Sequence, residues 1–263
     1  MDAATLAAVM GNRLPLAKYQ AYAPGFNQAL IAARCTTVNR AAMFVAQTGH
    51  ESGGLLWLEE LASGAAYQGR ADLGNTKPGF GVRYKGRGVI QLTGAYNYQA
   101  FSRWAHSQGM VPTPTYFFDN PKLVAQPPWA FISASYYWTV ARAALNSYAD
   151  AGNILAATNA VNGGTNGLAD RTARWKRALT FGTRLLPTES EEDELNADQD
   201  GKLDALARRE GPWAGGFTDD KGSEYDALMY AKRNNVEIHQ CWLAVQTLTA
   251  KVDALAAKLA ARP

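Results

Sequence analysis

Apolar residues recur at helical spacing through most of the first 185 positions, in blocks separated by Gly, Pro and Asn, whereas alternating period-two runs are scarce. The pattern predicts a mainly α fold. In the segment 39–51, NRAAMFVAQTGHE, Asn39 is placed to cap a helix, and Ala42, Val45 and Ala46 share an apolar face. Gly53 and Gly54 stop it. Glu51 is therefore expected at a helix end. Further helices are expected near 97–108, 128–146, 150–161 and 168–185, the second of these opened by Pro127 and Pro128. Between them, residues 64–88 are rich in Gly, Arg, Lys and aromatics with little helical period. That composition predicts a long ordered loop or a small β excursion.

Pro187 closes this pattern. The acidic run TESEEDELNADQDGKLD and the Gly-rich GPWAGGFTDDKGS follow it, and read as a solvated linker over 188–224. In the last segment, 225–263, Ile238, Cys241, Val245, Leu248, Val252, Leu255 and Leu259 alternate spacings of three and four, the seam of a short coiled coil. A single amphipathic helix folded back on the main domain would show a similar stripe. The organisation expected is thus a catalytic-sized domain over 1–187, the linker, and a helical segment through which residues 225–262 form a homo-oligomer.

Composition narrows the function classes. With 263 residues, 47% of them apolar, the chain has material for one substantial core. No run is long and apolar enough to cross a bilayer, and the N-terminus, MDAATLAAVMGNRLPLAK, lacks a basic start followed by an apolar core. Neither membrane insertion nor a signal peptide is expected. The two cysteines, Cys35 and Cys241, lie far apart with no metal-ligand spacing, which argues against a disulfide framework and a zinc site and fits a reducing cytosol. A formal charge of +3, scattered along the chain, does not indicate a nucleic-acid partner.

The segment HESGGLLWLEE sets Glu51 against Glu59 and Glu60, across a Gly-Gly break and an apolar run. Two carboxylates facing one cleft are what hydrolysis of a glycosidic bond requires, one giving a proton to the departing oxygen and the other activating water or attacking the sugar. Apolar surface beside Glu51 would disfavour its charged form, leaving Glu60 as the ionised partner. The opposing reading is a wet helix end and a wet acidic pair. Downstream, RYKGRGVIQLTGAYNY combines close-packing glycines, polar side chains and aromatics, as a carbohydrate-binding wall does.

Taken together, AQTGHESGG, YKGRGVIQLTGAYNY and AVNGGTNGLADR, in this order over most of residues 40–185, resemble glycoside hydrolase family 19, which contains chitinases and many phage endolysins. The resemblance implies a lysozyme-like α-helical catalytic domain that needs no metal or organic cofactor. It makes Glu51 the general acid and, by the spacing of the compact bacterial and phage members, Glu60 the general base. Thr93 becomes the hydroxyl that holds the nucleophilic water, and Gln91, Tyr96, Asn97 and Asn162 become sugar contacts. Arg171 would support the carboxylates, and His50, beside the acid, is a further candidate that reads more simply as a structural hydrogen-bonder. Structural roles stay open for three of these: a helix cap for Asn97, core filling for Tyr96, an ion pair for Arg171. Glu59 and Asp72 are held in reserve as the second carboxylate, and Gln68 lies where some relatives carry an acid.

The loop ELASGAAYQGRADLGNTKPGFGVR lacks the cysteines and insertions of plant chitinases and resembles the shorter phage form. The implied activity is inverting hydrolysis of β-1,4 bonds between amino sugars of bacterial peptidoglycan, by an endolysin held in the host cytoplasm until another protein opens the membrane to the cell wall. The competing readings are a chitinase, a non-catalytic glycan-binding module and an assembly protein built around its C-terminal coil.

Overall fold

The computed structural model describes residues 1–187 and the backbone of two short strands, β1 (Phe217–Thr218) and β2 (Glu224–Tyr225). Chain contacts divide the protein into two units, Met1–Glu189 and Ser190–Pro263. In the second, β1 and β2 pair antiparallel with Phe217 opposite Tyr225, within the stretch read as linker and up to the residue where the helical segment was placed to begin. The seam from Ile238 to Leu259 lies outside the described residues.

The first unit is mainly α. Helix α1 (Ala3–Met10) starts where Asp2 accepts a hydrogen bond from the Thr5 amide at 2.6 Å, and α2 (Leu16–Ala32) follows a short turn. Helix α3 (Val38–Glu51) is the central element, with every residue from Ala41 to Gly49 buried. Its cap is Thr37, whose hydroxyl accepts from the Arg40 amide, and not Asn39 as the sequence suggested. The apolar face expected of Ala42, Val45 and Ala46 is part of a helix buried all round.

Phe44 of α3 meets Phe26 of α2 and Trp138 edge-on, with ring centroids 5.8 and 5.1 Å away. Removing such a fully buried ring costs about 3–5 kcal/mol, so this contact is a main support of α3. Helix α3 packs chiefly against α10 (Leu168–Leu179), and also touches α1, α8 (Leu145–Asp150) and α9 (Ile154–Asn162). That packing holds the helix that carries Glu51.

Residues 64–88 form a loop of two 3-10 turns and the one-turn helix α4 (Phe80–Arg83). The β content expected here is limited to single bridges that join Glu59 to Arg87 and Arg87 to Leu92. Tyr84 pins the loop, stacking on Phe118 at 4.9 Å and donating its hydroxyl to the Phe118 carbonyl. The chain continues through α5 (Ala95–Ser107) and α6 (Tyr116–Asp119). The helix expected over 128–146 is broken: α7 (Trp129–Tyr136) gives way to a π turn over Tyr137–Ala141 before α8 begins. Side chains in the break are drawn to partners elsewhere, Trp138 to Asn146 at 2.8 Å and Arg142 to the Ala160 carbonyl at 2.8 Å. No helix among the described residues is long and apolar enough to cross a membrane.

Candidate active site

Glu51 ends α3, and its carboxylate accepts a hydrogen bond from Nη2 of Arg171. Arg171 is buried, while the Glu51 side chain keeps 26% of its surface exposed. Nη1 of the same guanidinium donates to the amide oxygen of Gln47, which stands one turn before Glu51 on the same face of α3. The acid candidate thus meets a buried cation, not the apolar wall the sequence led us to expect. A guanidinium fork of this kind fixes a carboxylate in direction as well as in place.

A parallel clasp lies one residue earlier. Nδ1 of His50 pairs with the Asp170 carboxylate at 2.7 Å, and Asp170 also accepts from Nε of Arg174 at 2.7 Å. Partial burial pushes the Asp170 carboxyl up, but the hydrogen bonds from His50 and Arg174 outweigh it and hold the group below the usual carboxylate range. Two neighbours on α3 therefore grip two neighbours on α10. Gly167 makes room for this: its φ is +73°, and a Cβ there would stand 2.3 Å from Nε2 of His50.

Glu60 is built into a second group. Its Oε1 accepts from the Tyr67 hydroxyl at 3.0 Å and its Oε2 from the Gly86 amide at 3.0 Å, while its own amide donates to the Gly86 carbonyl at 2.9 Å. Burial, then the bond to Glu60 and its charge, push the Tyr67 phenol up, so that Tyr67 stays a proton donor. Around the bare α-carbon of Gly86 three side chains converge: a Cβ there would lie 2.6 Å from Oε1 of Gln91, 3.2 Å from Oε2 of Glu60 and 3.3 Å from Oγ1 of Thr93. The Thr93 hydroxyl donates to the Gln91 carbonyl at 2.8 Å, and Gln91 holds a left-handed backbone with φ of +54°. Asn97 joins the group through its amide, which donates to the Thr93 carbonyl at 2.7 Å from inside α5, so it does not cap that helix.

The reserve carboxylates have other work. Glu59 points away from Glu60 and serves as counter-ion to buried Arg87 at 3.0 Å and to Lys85 at 3.4 Å. Asp72 pairs with Arg70 on the surface. Gln68 ties the loop together, donating to the carbonyls of Asn75 and Lys77. Tyr96 is not core: 58% of it is exposed, and its ring lies over Gly74. Asn162 ends α9 with its amide turned into its own loop, donating to the Asn166 carbonyl and accepting from the Gly164 amide at 2.8 Å. Tyr137 steadies that helix end by donating to the Val161 carbonyl at 3.0 Å.

Gln47, Tyr67, Gly86 and Asp170 were missed in the sequence. Gln47 was findable, because it lies four residues before Glu51 on a helix; nothing local marks Tyr67. No group of three or more His, Cys, Asp or Glu residues fit to hold a metal occurs among the described residues.

No protein-family model matches the chain. A protein of Haemophilus influenzae described as a glycosyl hydrolase family 19 domain-containing protein is 30% identical over 178 residues, covering 56% of this chain and 82% of that one. The chain belongs to glycosyl hydrolase family 19. Among solved structures, chitinase C from Streptomyces griseus HUT6037 matches with a TM-score of 0.52 at 23% identity, over 71% of this chain and 76% of its own. A bacterial family 19 chitinase matches with a TM-score of 0.50 at 23% identity, over 72% of this chain and 95% of its own. The fold is the lysozyme-like helical fold of the family, and membership of the family makes the protein a glycoside hydrolase by homology.

Proposed function

We propose that this family 19 hydrolase cleaves the β-1,4-linked amino-sugar strands of bacterial peptidoglycan by inversion, with Glu51 as general acid and Glu60 as general base. The observation that carries the reading is the convergence of Glu60, Thr93 and Gln91 on the side-chain-free face of Gly86. Water held between Glu60 and Thr93 would meet two acceptors, since the Thr93 proton is committed to the Gln91 carbonyl. Both water hydrogens then point into the protein and an oxygen lone pair faces out toward the sugar.

In the reaction, the Glu51 carboxyl gives its proton to the glycosidic oxygen as the bond to the anomeric carbon breaks. Water forms the new bond from the opposite side and passes its proton to Glu60. Arg171 stabilises the carboxylate left on Glu51. Tyr67 and the Gly86 amide hold Glu60 so that its charge faces the water.

Peptidoglycan is favoured as substrate by the short 61–83 loop, which contains no cysteine. The biological role that fits is phage lysis, with the enzyme kept in the host cytoplasm until the membrane is opened. Chitin is the second reading, because both solved relatives described above are chitinases. Parallel digestion of purified wall and purified chitin separates them, and mass spectrometry of the fragments identifies the bond cut. Glu51→Gln should bind wall and lose at least about 100-fold in turnover, since an amide accepts the Arg171 bond yet has no proton to give. Turnover within twofold of wild type would remove Glu51 from the acid role.

A further inference from the structure

Beside the Glu60 group, on the far side of the 59–60 and 85–87 segments, lies a groove of about 790 Å³ between the loop at α4 and the turn that follows α6. Four cations line it, Arg83, Lys85, Arg87 and Lys122, against two carboxylates, Glu59 and Asp119. The excess of positive charge is not spread evenly. Arg87 and Lys85 share Glu59, and Asp119 accepts from the Thr115 hydroxyl. Arg83 spends its hydrogen bonds on neutral oxygens, the Tyr84 hydroxyl and the carbonyls of Phe118 and Asp119, and no ion pair reaches Arg83 or Lys122 among the described residues. Over the whole lining, positive charges outnumber negative ones by two, and among the described residues Arg83 and Lys122 stand outside any ion pair. Exposed Val82 lines the same wall and gives it an apolar side.

Resting on the peptidoglycan reading above, we propose that this groove takes the stem peptide of the substrate, with Lys122 and Arg83 meeting its carboxylates. A stem peptide is short, carries free carboxylates, and branches from the sugar strand beside the bond being cut. Chitin has no such branch. The distance is within reach: Glu59 forms one edge of the groove and is the residue next to Glu60, and a peptide of four or five residues spans roughly 13–18 Å when extended. Mixed character also matches, since the small apolar side chains of such a peptide can lie on Val82 while the carboxylates meet the cations. In this arrangement Glu60 and Glu59, pointing to opposite sides of one segment, divide the labour. One faces the sugar, and the other holds the cations of the peptide groove in place.

The test uses the full chain and three substrates: intact peptidoglycan, the same wall stripped of stem peptides by an amidase, and chitin oligomers. Wild type should cleave intact strands with a kcat/KM about fivefold or more above stripped strands, through KM. Lys122→Glu and Val82→Glu, both at exposed positions that support no other group, should each reduce that preference by about fivefold and leave stripped strands unchanged. Equal cleavage of intact and stripped strands by wild type would overturn the proposal while leaving the peptidoglycan reading in place. So would variants that lose activity on both alike. Cleavage of chitin with neither wall substrate touched would instead remove the peptidoglycan reading itself, and the groove's role with it. Titration of Glu51→Gln with free stem peptide gives an independent readout: binding weakened by salt and by Lys122→Glu is expected. Binding of an anionic wall polymer in place of the peptide would overturn the assignment.

Discussion

The guanidinium of Arg171, fully buried near the start of α10, holds the carboxylate of Glu51 at the end of α3 and the amide of Gln47 one turn earlier. The acid candidate is therefore positioned by a different helix from the one that carries it. Arg171→Lys keeps the charge but has no planar fork with which to bridge two acceptors. It should fold, and its turnover should fall by about 100-fold, the scale at which a misplaced catalytic group is felt. Arg171→Ala removes the buried cation altogether and should cost about 3–5 kcal/mol in unfolding free energy. Thermal melts and turnover on purified wall check both; wild-type turnover in Arg171→Lys would reduce the contact to a structural one.

Gly86 makes a second, more local prediction. A methyl group there would press on Oε1 of Gln91 at 2.6 Å and crowd Oε2 of Glu60 and Oγ1 of Thr93. The Gln91 amide is the far end of a flexible side chain, tied only by its bond to the Gly88 carbonyl at 3.0 Å, so the fold can yield at the cost of that one bond while the water site cannot. Gly86→Ala should keep its melting temperature within a few degrees of wild type, equivalent to about 1 kcal/mol, and lose about tenfold or more in turnover. A melting temperature lowered by ten degrees with proportionate loss of activity would show that Gly86 matters to packing alone.

Motifs were more legible in this sequence than boundaries. HESGG announced the end of α3 because two glycines follow a buried apolar run, and Glu51 lies where that pattern places it. Thr37 and Asn39 are both residue types that cap helices, and only the fold decides which one has the extended backbone a cap needs. The break at Tyr137–Ala141 has no Gly or Pro to mark it; it is made by Trp138 and Arg142 reaching Asn146 and Ala160. In the sequence, the spacing of the family it resembles ranks Glu60 over Glu59, but no local pattern shows where either side chain points. Pairing of Glu59 with Arg87 across a β bridge sends adjacent side chains to opposite sides, and leaves Glu60 with Tyr67 and Gly86.

The clasp between His50 and Asp170 predicts a pH dependence. Asp170 has an unfolded value near 3.8 and is held below it in the folded protein, so its contribution to stability is present above that value and lost as pH falls through the folded one. Because 49% of the Asp170 side chain is exposed, solvent screening keeps the contribution under about 1 kcal/mol, or roughly 2–4 °C. Asp170→Asn should melt lower than wild type at pH 6, and the gap should start to narrow as pH falls below about 3.8 and close once pH has passed the lower folded value. Calorimetry across that range is the check. A gap that persists unchanged at pH 3 would show that the amide disturbs packing and that the carboxylate charge is not the cause.

Thr93 and Glu60 carry the most exposed prediction, because their roles depend on where a water sits. If the Thr93 hydroxyl gives its proton to Gln91 and accepts one from water, then Thr93→Ser retains both bonds and should keep most of the turnover. Thr93→Val removes the acceptor, and should lower kcat by about 100-fold with KM nearly unchanged, since the bond matters chiefly in the transition state. Equal losses in the two variants would trace the effect to packing. Glu60→Gln should be as impaired as Thr93→Val or worse, because an amide is a poor base, whereas Glu59→Gln should lower stability through Arg87 and Lys85 more than it lowers turnover. The product anomer, read by NMR immediately after cleavage, tests the same water directly. Attack from the face opposite the leaving group gives inversion, and a retained configuration would mean that Glu60 attacks the sugar and Thr93 holds no nucleophile.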